Sequence, residues 1–198
     1  MQEPVCRRCA YELPPYVPVP APCPACHSRK MYFKKTHALI RYDDIAKKIF
    51  YEIKFRKRRA LLNIFDSSIA QKLKKIAFTV NNAIIIPVPL EFYRKHERDF
   101  NQSEIIAHKV STLTGIPYTT RVLKRVKKST PQSMLRRKER LHNLINAFKV
   151  MQSATINHKD IILIDDVFTT GTTVNECAKV LTEAGAQTVT VFTLARTI

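Results

Sequence analysis

Ile161-Ile-Leu-Ile-Asp-Asp-Val-Phe-Thr-Thr-Gly-Thr-Thr173 is the most informative stretch of this 198-residue chain. Four apolar residues lead into two acids, and a loop rich in hydroxyl groups follows around one glycine. From Val174 to Ala184 apolar residues recur at helical spacing, and Gly185 is placed to cap that helix at its end. The stretch therefore predicts a buried strand, a short loop and the N-terminus of a helix.

This order of elements is typical of a site for a phosphorylated sugar. Loop N–H groups and the positive end of a helix can hold a phosphate, while carboxylates can accept hydrogen bonds from ribose hydroxyls or bind Mg²⁺. The alternative is an ordinary strand-to-helix turn, but such a turn needs one capping residue rather than two acids and four threonines. The expected ligand-binding residues are Asp165, Asp166, Val167, Thr169, Thr170, Gly171, Thr172 and Thr173, with Asp165 and Asp166 also as magnesium ligands.

The same thirteen residues resemble the 5-phosphoribosyl 1-pyrophosphate (PRPP) motif of the type I phosphoribosyltransferases. The resemblance implies that the chain binds PRPP together with Mg²⁺. It also implies a type I phosphoribosyltransferase-like fold.

Four of the five cysteines form two Cys-x2-Cys pairs, Cys6 with Cys9 and Cys23 with Cys26. Four thiolates at this spacing can surround a zinc ion, and four protein ligands make such a site structural rather than catalytic. Two disulfides are disfavoured by a reducing cytoplasm, and a redox Cys-x-x-Cys motif needs a βαβ context that this segment lacks. We therefore predict a small zinc ribbon over residues 1–36 and a phosphoribosyltransferase-like domain over residues 37–198.

The chain carries 34 Lys and Arg against 16 Asp and Glu, a formal net charge of +18. Such an excess attracts polyanions, for which nucleic acid and an anionic membrane surface are the usual candidates. The N-terminus lacks the pattern of a signal peptide, and the longest apolar run, residues 83–90, is too short to span a membrane. We expect a cytoplasmic protein with no membrane span, for which peripheral association with a membrane stays open.

The rest of the chain alternates between strand and helix patterns. Helices are predicted over residues 61–77, over 103–114, and from Asp43 onward with four apolar residues on the buried side, Ile45, Ile49, Phe50 and Ile53. Strands are predicted near residues 31–33 and over 82–90, 118–125, 147–151 and 188–194. The alternation indicates the α/β class, with a mostly parallel sheet, helices on both faces and a ligand site beyond the carboxyl ends of the strands.

Several short motifs, taken in order, resemble the ComF family, phosphoribosyltransferase-like proteins of bacterial natural competence. They are the cysteine pairs, Tyr51-Glu-Ile-Lys-Phe55, Ile86-Pro-Val-Pro-Leu90, Arg98-Asp-Phe-Asn-Gln102, Thr130-x-Gln132, Arg140-x2-Asn143, Ala147-Phe148, the Asp165–Thr173 motif and Leu194-Ala-Arg196. This resemblance implies a role in DNA uptake. It also implies single-stranded DNA and a competence helicase or a strand-loading protein as partners.

Asp99 departs from the family pattern, which has glycine at this position. A carboxylate there would repel a pyrophosphate unless magnesium lies between them. Cationic loops can stabilise the charge of a departing pyrophosphate. The residues expected around the pyrophosphate are Arg94, Arg98, Asn101 and Gln102.

Two cationic segments are candidates for binding a nucleic-acid backbone. Residues 54–59 hold five cations, and residues 121–140 hold nine Lys or Arg against one acid. By resemblance the second segment is the flexible loop that closes over the ligand; a solvated, mobile tract is the alternative. Aromatic residues beside the cations, Tyr51, Phe55, Tyr93 and Phe100, could stack unpaired bases, whereas Phe50 is expected in the core. The predicted nucleic-acid-binding residues are Lys54, Arg56, Lys57, Arg58, Arg59, Arg125, Lys127, Lys128, Arg136, Arg137 and Lys138.

The leading interpretation is a PRPP-binding protein that handles single-stranded DNA during its uptake. One alternative is a salvage phosphoribosyltransferase that acts on a nucleobase or another small acceptor. The other is a zinc-ribbon protein that binds RNA or has a regulatory role, and in which PRPP is only sensed. The histidines are scattered and no general base stands out, so the sequence leaves the catalytic residues, and turnover itself, undefined.

Overall fold

The computed structural model describes residues 5–14, 23–27, 30–75, 82–90, 99–127 and 145–197. Its strands are β1 (Lys35–Arg41), β2 (Ala83–Pro87), β3 (Leu123–Arg125), β4 (Phe148–Val150), β5 (Asp160–Phe168) and β6 (Thr188–Arg196). Within the described ranges, four of them form one parallel sheet in the order β1-β6-β5-β2. β3 and β4 form a separate antiparallel pair.

The helices are α1 (Pro24–His27), α2 (Asp44–Phe55), α3 (Asp66–Lys75), α4 (Gln102–Thr114) and α5 (Thr172–Glu183). Two short 3-10 helices cover Arg59–Phe65 and Ser153–Thr155. α2 begins where the sequence predicts, because the Asp43 carboxylate accepts a hydrogen bond from the Ala46 N–H at 2.8 Å. α4 ends at Gly115, whose φ of +73° is the left-handed conformation expected of a C-terminal cap.

The sheet has a hydrophobic core on each face, and helices cover both. Ile161 and Leu163 of β5 point to the face that α5 covers, while Ile162 and Ile164 point to the face that α2, α3 and α4 cover. A strand buried on both faces requires a continuous apolar run, which explains why residues 161–164 do not alternate with polar ones. The predicted α/β class, with a mostly parallel sheet and helices on both faces, is confirmed.

The strand expected near residues 31–33 is wrong, since the first strand is β1 at Lys35–Arg41. β1 pairs with β6 from Lys35↔Thr190 to Arg41↔Arg196, whereas Phe33 is buried in the core on the α5 side. Phe33 thus lies in the core just before the chain enters the sheet at β1. The predicted domain boundary between residues 36 and 37 falls inside this strand.

Three further expectations need adjustment. Ile45 is 70% exposed rather than buried, because the buried stripe of α2 runs through Ala46, Phe50 and Ile53. The helix expected over residues 61–77 begins as a 3-10 helix and becomes α-helical at Asp66. The strand expected over residues 118–125 is reduced to β3, which pairs with β4 outside the main sheet, while Tyr118 forms a single bridge with Ile85.

Candidate functional site

β5 carries both acids of the PRPP-like motif near its carboxyl end and continues to Phe168. Residues 169–173, called the phosphate loop from here on, follow it and run into the first residues of α5. The predicted order of strand, loop and helix is therefore confirmed. Because β5 lies between β6 and β2, the loop leaves from the interior of the sheet rather than from its edge.

Asp165 lies among groups that hold its carboxylate in place. Its Oδ1 accepts hydrogen bonds from Ser103 Oγ at 3.3 Å and from the Asp166 N–H at 2.9 Å. Burial, and then repulsion from Asp166, raises the pKa of Asp165 from its ordinary value to about 7. A carboxylate in such an environment is suited to a cation or to ribose hydroxyls, both of which relieve the cost of its charge.

Asp166 already has a cationic partner inside the protein. Lys54 Nζ lies 2.7 Å from Asp166 Oδ2, and the two side chains are only 18% and 13% exposed. Lys54 comes from α2, so the ion pair joins the helix layer to the end of β5. The sequence predicts Lys54 as a nucleic-acid-binding residue, but the structure places its ammonium group at the second acid of the motif.

The phosphate loop depends on the conformation of Gly171. Its φ is +72°, and a Cβ at this position would lie 2.2 Å from Phe168 Cζ. Gly171 is also the N-cap of α5, so the capping residue has no side chain that could accept from the first turn of this helix. N–H groups at a helix N-terminus without a side-chain cap can bind an anion, and the helix dipole favours negative charge there.

Threonine hydroxyls surround this helix end. Thr170 Oγ1 and Thr172 Oγ1 lie 2.9 Å apart, and the Thr172 N–H donates weakly to Thr170 Oγ1 at 3.4 Å. Thr169 and Thr170 are exposed, whereas Gly171 is buried. The loop thus places threonine hydroxyls at the surface beside a buried glycine turn. It carries no side-chain charge of its own.

The N-terminus of α4 meets the motif from the side of β2. Asn101 caps the helix by accepting from the Ser103 N–H at 3.0 Å, and its amide donates to the Val88 carbonyl at 3.0 Å. Gln102 is 1% exposed, and no described group accepts a hydrogen bond from its Nε2. Both were predicted to lie around the pyrophosphate; they are buried beside Ser103, the residue that donates to Asp165.

The backbone conformation at Asp99 accounts for the glycine that the family pattern has at this position. Its φ is +63°, in the left-handed region that glycine adopts freely and that Asp tolerates better than most residues. Its carboxylate pairs with Lys57 Nζ at 2.6 Å. The charge that would repel a pyrophosphate thus has a cationic partner at the protein surface, where the two side chains are 49% and 65% exposed.

The four predicted zinc ligands come together in the structure. The sulfur atoms of Cys6, Cys9, Cys23 and Cys26 all lie within 4.8 Å of one another, and all four residues are buried. The Cys9 and Cys23 sulfurs are 3.3 Å apart, and those of Cys6 and Cys26 are 3.9 Å apart. A tetrahedral zinc site with Zn–S bonds of about 2.3 Å has sulfur atoms about 3.8 Å apart, so the cluster fits such an ion. The two Cys-x2-Cys turns, residues 6–9 and 23–26, are called the metal knuckle below.

The predicted nucleic-acid residues of α2 and its following turn form an exposed cationic tract, Lys54–Arg59. Arg56, Lys57, Arg58 and Arg59 are all exposed, although Lys57 pairs with Asp99 and Arg58 pairs with Glu52 at 3.2 Å. Beside them the rings of Tyr51 and Phe55, 51% and 61% exposed, lie 5.1 Å apart. Phe50 is buried in the core, as predicted, and Phe100 packs partly against the same core.

The second cationic segment is described only at its beginning. Arg125 lies over the Phe148 ring at 5.7 Å, and Lys127 donates to the Ile145 carbonyl at 2.6 Å, so both hold the β3–β4 pair together. The remaining predicted residues lie outside the described residues: Arg94 and Arg98 for the pyrophosphate, Tyr93 for stacking, and Lys128, Arg136, Arg137 and Lys138 for nucleic acid.

Three residues of the site were missed or given another role from sequence. Ser103 contacts Asp165, Lys54 contacts Asp166, and Lys57 contacts Asp99. Ser103 directly follows Asn101 and Gln102, which belong to a motif recognised in the sequence. This position was the signal that could have indicated its role. Lys54 was visible as part of the Tyr51–Phe55 motif and Lys57 only as a cation, but neither contact could be read from the sequence, because the partners lie more than forty residues away in the chain.

No helix in the described ranges is long and apolar enough to cross a membrane. None of the known protein-family models matches the chain. Among solved structures, adenine phosphoribosyltransferase from Leishmania tarentolae is similar with a TM-score of 0.43 and 11% identity, covering 73% of this chain and 74% of that one. Purine phosphoribosyltransferase from Pyrococcus horikoshii is similar with a TM-score of 0.40 and 16% identity, covering 68% and 82%. The fold assignment rests on the strand order and the motif of the chain itself.

Several curated proteins are similar in sequence, and three of them represent the range. Competence protein F of Haemophilus influenzae is 39% identical over 113 residues, which are 57% of this chain and 49% of that protein, about half of its length. DNA utilization protein YhgH of Salmonella typhi is 27% identical over 180 residues, 89% of this chain and 78% of that protein. Competence protein ComFC of Bacillus subtilis is 29% identical over 167 residues, 84% of this chain and 66% of that protein. These relatives confirm the resemblance to the ComF family that the motifs indicate.

Proposed function

We propose that this chain binds PRPP with Mg²⁺ at residues 165–173 and binds single-stranded DNA through the adjacent cationic tract, as a component of DNA uptake. The observation that carries the proposal is the pair of partly buried acids next to a helix N-terminus whose capping residue is a glycine. This combination suits a ligand that is neutral and hydroxylated at one end and anionic at the other, as a ribose 5-phosphate moiety is.

In this proposal each part of the site has a separate task. The N–H groups of the phosphate loop and the threonine hydroxyls hold the 5-phosphate, while Asp165 and Asp166 accept from the ribose hydroxyls or hold Mg²⁺. Mg²⁺ would supply charge neutralisation of the pyrophosphate. Lys54 lies close enough to Asp166 to balance its charge when the ion is absent. Ser103 keeps the Asp165 carboxylate oriented.

The DNA part of the proposal rests on what lies beside the site. The exposed rings of Tyr51 and Phe55 sit next to four exposed cations, a combination of stacking surface and backbone-binding charge that suits unpaired nucleic acid. Two ion pairs join this tract to its surroundings: Lys54 pairs with Asp166 of the PRPP-like motif, and Lys57 pairs with Asp99, just before α4. A strand bound to the tract would therefore pass the mouth of the phosphate site.

The names of the relatives, competence protein and DNA utilization protein, support the placement of this binding in DNA uptake. A competence helicase or a strand-loading protein is the partner that the proposal implies. The metal knuckle would hold zinc in a structural role, because its four thiolates leave no open coordination position.

Calorimetry with PRPP and Mg²⁺ tests the ligand. We expect the double substitution Asp165→Asn/Asp166→Asn to weaken PRPP binding at least about tenfold, which is about 1.4 kcal/mol. Asp160→Asn is the matched control, since Asp160 begins the same strand and accepts from Thr188 Oγ1, a role that the Asn amide oxygen can keep. Equal affinity in the wild type and the double variant would refute the site.

A salt titration of single-stranded DNA binding tests the second part. A linear fall of log affinity with log salt, with a slope of about −0.7 for each phosphate contacted, is expected of backbone binding by the cationic tract. The titration is repeated with duplex DNA and with RNA of the same length. Tighter binding of RNA would favour the RNA-binding interpretation, and a flat salt response would remove the DNA part of the proposal.

A further inference from the structure

Arg196, the last residue of β6, is 8% exposed although its guanidinium group is permanently charged. A buried charge is costly unless its donors are satisfied, so the partners of this arginine matter. Its Nε donates to the carbonyl of Cys9 at 3.0 Å. Its Nη1 lies within hydrogen-bond distance of the carbonyls of Thr169 at 2.6 Å, Phe168 at 3.2 Å and Thr197 at 2.5 Å, which share its two N–H donors. One side chain thus bonds the metal knuckle and the phosphate loop at once.

Aromatic rings extend the same contact in both directions. The guanidinium carbon lies 4.6 Å from the centre of the Phe168 ring and 5.5 Å from that of Tyr11, just beyond the first cysteine pair. The Phe168 ring is also the group that a Cβ on Gly171 would strike. Arg196 and Gly171 therefore pack on the same ring, and a shift of Arg196 would be felt by the glycine turn.

A second connection runs through the first turn of α5. Asn175 Oδ1 accepts from the Tyr32 N–H at 2.8 Å, and Asn175 Nδ2 donates to the Lys30 carbonyl at 3.1 Å. The ring of Phe33 meets that of Phe168 edge-on at 6.0 Å. The segment that follows the metal knuckle is thus fastened to the helix that begins at the phosphate loop. The knuckle and the loop share one packed unit, although they are far apart in the sequence.

The order of the metal knuckle depends on its ligand. Residues 5–14 contain no regular element beyond a single bridge between Val5 and Glu12, and the second cysteine pair lies around the short helix α1. A segment with so little secondary structure gains much of its order from metal binding. The bond between the metal and the Cys9 sulfur would fix the position of residue 9. Without metal, the Cys9 carbonyl is therefore no longer held in place. Arg196 then loses a fixed acceptor on the knuckle side.

We propose that Arg196 is a positioning residue that couples occupancy of the metal knuckle to the shape of the phosphate loop. The ligand-binding consequence rests on the proposed function, whereas the coupling itself concerns only this chain. With metal bound, Arg196 is held by the Cys9 carbonyl and in turn holds the carbonyls of Phe168 and Thr169. The N–H groups of the next residues then face the ligand. Loss of metal, or of the guanidinium fork, loosens the hold on the Thr169 carbonyl, while the Phe168 carbonyl keeps its hydrogen bond from the Thr197 N–H at 3.0 Å.

The experiment compares the full-length chain with its metal and after treatment with a zinc-selective chelator in excess Mg²⁺. The first measurement is amide hydrogen exchange of residues 169–173 without any ligand. The second is PRPP affinity by calorimetry. For the wild type we expect the chelator to speed loop exchange at least fivefold and to weaken PRPP binding about tenfold, which is about 1.4 kcal/mol.

The variants decide whether Arg196 carries the effect. In Arg196→Met we expect fast loop exchange and weak PRPP binding already with metal, and little further change on chelation. Arg196→Lys retains the charge and most of the stem, but one ammonium group cannot replace the planar fork that reaches both carbonyls. It is therefore expected to fold and still to lose the coupling. Should Arg196→Met fail to fold, the lysine variant gives the same decision.

Arg41→Met is the matched control. Arg41 is paired across the sheet with Arg196 and forms an ion pair with Glu12 of the knuckle segment, so its loss disturbs that segment from β1. We expect it to keep the response of the wild type to chelation. The proposal is overturned if chelation leaves loop exchange of the wild type unchanged, or if both Arg196 variants respond to it as the wild type does. If chelation speeds loop exchange in the wild type but the wild type binds no PRPP, the coupling is supported and the proposed ligand is refuted.

Discussion

The phosphate loop, residues 169–173, and the cationic tract, Lys54–Arg59, are neighbours that could both contact phosphate groups, yet they are built in opposite ways. The loop has no charged side chain and is held by a glycine in a left-handed conformation against a buried ring. The tract has five cations, four of them exposed, on the last turn of a helix and the residues after it. Geometry defines the first region and charge defines the second.

This difference predicts how each region recognises its ligand. Fixed N–H groups at a helix end select an anion of one size at one position, because they cost no reorganisation on binding. Flexible exposed cations attract any phosphate backbone and are screened by salt. A single substitution should therefore disable the loop, whereas the tract should respond to the number of charges removed.

Gly171→Ala is expected to have the largest effect. It combines a positive φ with a contact of 2.2 Å to Phe168, so the loop must move to accept a methyl group. We expect PRPP affinity to fall about 100-fold, which is about 2.7 kcal/mol, with DNA affinity within twofold of the wild type.

The matched control for this change is Gly115→Ala, at the end of α4. Its φ is nearly the same, +73°, but nothing lies within 4 Å of the added Cβ. It should cost about 1–2 kcal/mol of stability from backbone strain alone and leave PRPP binding intact. Calorimetry and thermal unfolding of both variants separate strain from collision. Equal loss of PRPP binding in the two would contradict the geometric account of the loop.

Removal of charge from the tract should have an intermediate effect. The triple substitution Arg56→Gln/Arg58→Gln/Arg59→Gln is expected to flatten the salt dependence of single-stranded DNA binding by a slope of about 2, at about 0.7 for each cation. PRPP affinity should stay near that of the wild type. The control removes the same charge at three exposed lysines elsewhere, Lys34, Lys35 and Lys48. An equal loss of DNA affinity in the control would mean that net charge, and not the tract, binds the strand.

Lys54→Met is expected to have the smallest effect and assigns the residue that joins the two regions. Lys54 is at the start of the tract, but its ammonium group lies at Asp166. We expect PRPP affinity to fall about threefold to fivefold, which is about 1 kcal/mol, because Asp166 loses its counter-charge beside an anionic ligand. DNA affinity should change less than with one of the exposed arginines. Lys54→Arg, which keeps the charge, should bind PRPP nearly as the wild type does. If Lys54→Met instead lowered DNA affinity more than PRPP affinity, Lys54 would belong to the DNA-binding surface.

Much of the fold could be read from local patterns. The continuous apolar run at residues 161–164 indicated a buried strand, and Asp43 marked the start of a helix that the structure confirms. Prediction was less good where a segment has a choice of partners. The segment at residues 118–125 has a strand-like composition, but only three of its residues pair as a strand, and they pair with β4 outside the main sheet.

The same contrast holds for the candidate site. The PRPP-like motif and the cysteine pairs were visible because each is a run of residues whose spacing carries its own chemistry, and short-range geometry is set by the backbone. Lys57 was visible only as a cation, and Lys54 and Arg196 were visible as cations within short family motifs, without any sign of their contacts. Their roles depend on acceptors that the folded chain brings from distant positions: Asp166, Asp99, and the carbonyls of Cys9 and Thr169.

The amino-acid order thus sufficed for the α/β class, the acid pair with its loop, and the four thiols, because these follow from periodicity and spacing within short stretches. The folded structure was needed to show which charges are paired, which remain exposed, and how the metal knuckle is joined to the phosphate loop. The physical reason is that ion pairs and buried hydrogen bonds act over a few ångströms in space, and the separation of two residues along the chain says little about that distance.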